Sequence, residues 1–63
     1  AAVFDILVTN LKEVKSQPRL SAPTEFTLDA GYQVRYDKAL YADGHQWISY
    51  LSYGSLRRYV LID

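Results

Sequence analysis

From Gly31 to Val60 the chain reads GYQVRYDKALYADGHQWISYLSYGSLRRYV. This stretch holds all six tyrosines and the only tryptophan. At its centre stands Asp43-Gly44, a pair suited to a tight hairpin turn. Glycine adopts positive φ freely, and aspartate does so more readily than most residues. Upstream, Tyr32, Val34 and Tyr36 share one face while Gln33, Arg35 and Asp37 share the other, the two-residue period of a strand. Ala39-Leu40-Tyr41 carries the chain on to the turn. Downstream, His45 to Leu51 returns with Trp47 and Leu51 on one face and Ile48 and Tyr50 on the other. Bulk on both faces marks an interior strand. Ser52 to Ser55 turns again, and Arg57 to Ile62 forms a last strand.

Working outward to the N-terminal half, Val3 to Val8 is an apolar, β-branched run with one charge, and reads as a first strand. Thr9-Asn10 offers a turn. Leu11 to Lys15 is a second short strand ending near Ser16, since Pro18 blocks a helix there. Gln17 to Thr24, with Pro18, Ser21 and Pro23, is a loop. Glu25 to Asp29 alternates through Phe26 and Leu28, and Ala30-Gly31 turns the chain. Short strands between Gly, Pro and Asp turns indicate an all-β fold. At 63 residues the expectation is a small SH3-like barrel of five to seven short strands, with residues 1–63 as a single domain. An OB-fold usually needs a longer chain.

A domain of this size buries only about 60% of its unfolded surface. Hydrophobic residues make up 49% of the chain, enough for a core but not for a deep catalytic pocket besides. No cysteine is present, which excludes disulfides and thiolate zinc sites. Seven basic residues balance seven acidic ones, so no general electrostatic grip on nucleic acid is expected. The apolar runs are too short to span a bilayer, so no membrane insertion is expected. The chain opens on Ala1-Ala2 without methionine, as expected of a module taken from a longer protein.

The candidate chemistry points to binding. One histidine, His45, cannot supply the converging ligands of a metal site, and no cofactor is expected. It reads as a turn-flanking residue packed on an aromatic neighbour. Five serines have only His45 as a possible base, and no strained elbow presents one of them. Glu25, Asp29, Asp37 and Asp43 could be paired for acid–base work, yet nothing outlines a cleft between them. Tyrosines, in contrast, offer rigid contact area with a polar tip. Tyr36, Tyr41, Tyr50, Tyr53 and Tyr59 cannot all be buried in so small a core. Tyr32 and Tyr36 are the two expected inside. If Val60 is core, alternation exposes Tyr59. Arg57-Arg58 could grip a carboxylate or phosphate, or could be a solvated strand edge that discourages further pairing.

Taken in order, Val14-Lys15-Ser16-Gln17-Pro18, Gly31-x5-Asp37, Asp43-Gly44-His45-x-Trp47-Ile48-Ser49-Tyr50 and Arg57-Arg58-Tyr59-Val60 resemble a bacterial SH3 domain. The resemblance runs from about residue 12 to residue 62. The type is the one attached to peptidoglycan hydrolases and phage endolysins of Gram-positive bacteria. Ala39-Leu40-Tyr41, which looks like the Ala-Leu-Tyr box of eukaryotic SH3 domains, lies too late in the chain and lacks that family's other segments. The bacterial resemblance implies a non-catalytic cell-wall-binding module, with the catalytic domain in the same parent chain. It implies a peptidoglycan peptide, cross-bridge or stem, as partner, and a protein that is secreted, wall-associated or phage-encoded. By position it places Lys38, Leu40 and Tyr59 at a shallow ligand groove, with Tyr41, Trp47 and Tyr50 of the hairpin beside them. Members that bind pentaglycine carry an acidic residue where this chain has Lys38, and the type's usual Ser-Gly before the arginine is inverted here as Gly54-Ser55. The alternative is a protein-interaction or assembly module with no wall ligand.

Overall fold

A computed structural model describes residues 2–63. Seven strands follow one another: β1 (Phe4–Leu7), β2 (Lys12–Lys15), β3 (Thr24–Leu28), β4 (Gln33–Tyr36), β5 (Lys38–Ala42), β6 (His45–Leu51) and β7 (Arg57–Leu61). A 3-10 turn, Tyr53–Ser55, precedes β7. Every pairing is antiparallel, in a two-stranded sheet β1-β4 and a five-stranded sheet β3-β2-β7-β6-β5. The expected small all-β barrel of short strands is therefore present.

The Asp43-Gly44 turn is formed as anticipated. Asp43 has φ 54° and Gly44 φ 76°, the double left-handed pattern that matches the twist of a two-residue hairpin. It closes β5 on β6 with Ala42 opposite His45. The interior comes from one face of each strand. Val14, Val60 and Ile48 lie directly opposite one another across β2, β7 and β6, and all three are fully buried. Val8, Leu28 and Val34 complete the core, with Ile6, Tyr36, Tyr50 and Ile62 packed around it. Phe4 and Tyr36, paired across β1 and β4, add a tilted ring contact at 5.8 Å.

Several expectations are corrected. Tyr32 is not a core residue: it is 56% exposed, because it precedes β4 at the open end of the barrel. The run from Gln33 to Ala42 forms two strands, β4 and β5. It breaks at Asp37, where the chain leaves the β1-β4 sheet to pair with β6, and the Asp37 amide donates to the Ser49 carbonyl at 3.2 Å. The alternation changes phase there. Val34 and Tyr36 face the core in β4, whereas in β5 it is Ala39, opposite Ile48, that shares the core side. Finally, Arg57-Arg58 is not at an edge, since β7 lies between β2 and β6. Strand β6, as expected, is interior, with Trp47, Ile48 and Ser49 all buried.

Candidate ligand-binding face

Residues opposite one another in an antiparallel pair point to the same side of the sheet. The register therefore lays out the outer face of the five-stranded sheet in rows. One row reads Lys15, Tyr59, Ser49, Lys38 across β2, β7, β6 and β5. The next reads Leu61, Trp47, Leu40 across β7, β6 and β5. Lys38, Leu40, Trp47 and Tyr59 are thus brought to one face. Tyr59 and Lys38 sit two strands apart, about 10 Å. Tyr59 and Leu40 are half-buried and Lys38 is exposed.

Trp47 is on this face but offers no surface, because it is fully buried. Its indole Nε1 donates to the Ala42 carbonyl at 2.7 Å, which satisfies the buried donor. The cover is the loop between β2 and β3. That loop is tied at one end by Lys15, whose Nζ donates to the Ala22 carbonyl at 3.0 Å and to Thr24 Oγ1 at 3.2 Å. Thr24 Oγ1 in turn donates to Glu13 at 2.6 Å. At the hairpin the Leu20 amide donates to Asp43 Oδ2 at 2.7 Å. A segment fixed beside β2 and again at the β5-β6 turn must cross β7 and β6, and so passes over Trp47. Trp47 is a support for the face, not a contact on it.

Tyr50 and Tyr41 are on the other side. Tyr50 lies opposite Arg58 and packs against the core. Burial and the nearby Tyr32 push its hydroxyl pKa up. Tyr41, opposite Gln46 on the edge strand β5, is 70% exposed. The six candidate residues therefore divide: Lys38, Leu40 and Tyr59 form an accessible cluster, Trp47 lies beneath it, and Tyr41 and Tyr50 point away.

The arginines are engaged within the protein. Arg57 Nη1 donates to Asp37 Oδ1 at 2.8 Å and Nη2 to Asp37 Oδ2 at 3.1 Å, a bidentate pair. Nη1 also reaches Ser49 Oγ at 3.1 Å, and Ser49 Oγ donates to the Arg58 carbonyl at 2.9 Å. The guanidinium holds the Asp37 carboxyl below its usual pKa, and Asp37 raises that of Arg57. Arg58 lies 3.6 Å from Glu25. Sequence reasoning noted the arginines but missed these partners, which are distant in the chain. His45 sits beside the turn, its Nδ1 at 3.1 Å from Asp63 Oδ1. Among the described residues no group of three His, Cys, Asp or Glu converges on a possible metal position.

Comparison with known proteins agrees with this architecture. Residues 3–62 match the family described as bacterial SH3 domain, and the chain belongs to that family. Solved structures share the fold at low identity. The antimicrobial peptidase lysostaphin from Staphylococcus simulans is 24% identical with a TM-score of 0.86, over 97% of this chain and 25% of that one. The cell wall targeting domain of the peptidoglycan hydrolase ALE-1 is 22% identical, TM-score 0.85, over 97% of this chain and 63% of that one. The cell wall binding domain of the staphylococcal phage 2638A endolysin is 22% identical, TM-score 0.79, over 97% of this chain and 67% of that one. The chain thus spans a quarter of lysostaphin. No curated protein sequence matches it.

Proposed function

We propose that residues 1–63 are one non-catalytic module that holds a peptidoglycan hydrolase on the Gram-positive cell wall. The ligand is a peptide of peptidoglycan, cross-bridge or stem, laid across Lys38, Leu40 and Tyr59. The catalytic domain is elsewhere in the parent chain, and the protein acts outside the cell or from a phage. The observation that carries this reading is the placing of Tyr59, Leu40 and Lys38 on one face of adjacent strands, with Ser49 buried between Tyr59 and Lys38. Family membership and relatives described as wall-targeting domains support it. An aromatic ring, an aliphatic side chain and an ammonium suit a short peptide with a free carboxylate or carbonyl oxygens.

The test is sedimentation of the labelled module with purified Gram-positive sacculi. The expected result is saturable retention, weakened about tenfold by Tyr59→Ala, the loss of a central aromatic contact. Thermal unfolding of the variant separates lost binding from lost fold. Absence of retention on sacculi of every cross-bridge type would sink the proposal.

A further inference from the structure

The two sheets part at one end of the barrel and leave an open trough of about 700 Å³. It is away from the Lys38, Leu40 and Tyr59 face, and its floor is core-facing Leu28 and Val34. Four rings surround it: Phe26 from β3, Tyr32 ahead of β4, Tyr50 from β6 and Tyr53 from the 3-10 turn. Tyr53 is 95% exposed, which leaves a large ring without a partner in the fold.

One wall of the trough is a strand edge. Among the described residues strand β4 pairs only with β1, which leaves its other side unpaired among them. The Val8 amide donates to the Tyr32 carbonyl at 2.8 Å and fixes the phase of the ladder. By the antiparallel alternation, Tyr32, Val34 and Tyr36 direct their main-chain groups to β1, while Gln33 and Arg35 direct theirs outward. Both Gln33 and Arg35 line the trough. The lining includes no carboxylate. The Arg35 side chain leans toward β1, where its Nε donates to Asp5 Oδ1 at 3.2 Å on the face opposite to Val34, so only its main chain is offered at the free edge.

We infer that this trough binds a glycan of N-acetylated amino sugars. A pyranose ring has C–H faces that lie against aromatic rings, and a rim of hydroxyls that pair with tyrosine hydroxyls. An acetamido group has one N–H and one C=O, the same pair that a neighbouring strand would offer the free edge at Gln33 and Arg35. An extended peptide is the competing occupant. It fits less well, because the free edge offers only two outward positions while the rings surround the trough.

The probe is hexa-N-acetylglucosamine, titrated into the isotope-labelled chain and followed by amide chemical shifts. The expected result is saturable shifts at Gln33, Arg35 and Tyr53, with the amides of Lys38, Leu40 and Tyr59 unmoved. Tyr53→Ala and Tyr32→Ala should each weaken binding at least about fivefold. Both side chains are exposed, so melting temperatures should stay near the parent's. The fully deacetylated oligomer, cationic and without acetamido groups, should bind much less. Absence of saturable shifts up to about 10 mM sugar would overturn the inference. So would equal binding of the deacetylated oligomer, or a sugar-free stem peptide occupying the trough instead. Wall peptides titrated into the same sample report on the Tyr59 face independently, so either proposal can fail without the other.

Discussion

Trp47 shows how one residue serves a surface without being part of it. Its ring is fully buried and its one donor is satisfied by Ala42. Trp47→Phe should cost about 1–3 kcal/mol, from the lost hydrogen bond and the smaller volume, read as a lower urea midpoint. Asp37 and Arg57 form the best-formed ion pair of the described residues. Arg57 holds the Asp37 carboxyl pKa below its unfolded value of about 4. A depressed pKa contributes stability above the unfolded value, and that contribution is lost as pH falls through the folded one. Asp37→Asn should therefore lower the urea midpoint at neutral pH, and its gap from the parent should close as the pH is taken well below about 4. A gap that persisted in acid would mean the carboxylate charge is not what Arg57 holds. Neither role was legible in the sequence. The burial of Trp47 depends on a loop folding over it, and the partner of Arg57 is twenty residues away.

At the scale of elements, the hairpin was legible because its signals are local. Asp43-Gly44 requires positive φ at both positions, and the flanking residues have strand preference. Gly44→Ala should cost about 1 kcal/mol through its φ of 76°, since a Cβ there meets no atom within 4 Å. Asp43 has a second task, accepting the Leu20 amide. Asp43→Ala should both strain the turn and free the loop, so that the Leu20 amide exchanges with solvent faster, whereas Asp43→Asn should keep both functions. The break at Asp37 was not legible. Alternation runs evenly through Tyr36, but the chain then changes sheets, and a phase shift of one residue reverses every later face. That shift puts Leu40 beside Trp47 rather than in line with Tyr36. Tyr32 was misplaced for a similar reason: it shares the parity of Val34 but lies beyond the strand end, where nothing covers it.

At the scale of the molecule, the small barrel leaves two distinct surfaces to account for. The outer face of the five-stranded sheet carries Lys38, Leu40 and Tyr59, supported by Trp47 and strapped by the loop that Lys15 and Asp43 anchor. The opposite trough carries the rings that the core could not take in. The sequence showed that its tyrosines were too many for the interior, but not which way each would point. Register decides that, and register follows from long-range pairing. The central claim is that the Lys38, Leu40 and Tyr59 face takes a wall peptide. The direct measurement is amide chemical-shift mapping with soluble muropeptides from Gram-positive walls. The account predicts saturable shifts concentrated at Lys38, Leu40, Ser49 and Tyr59, abolished or strongly weakened in Tyr59→Ala. Absence of shifts with any muropeptide, or shifts that leave this face untouched, would contradict it.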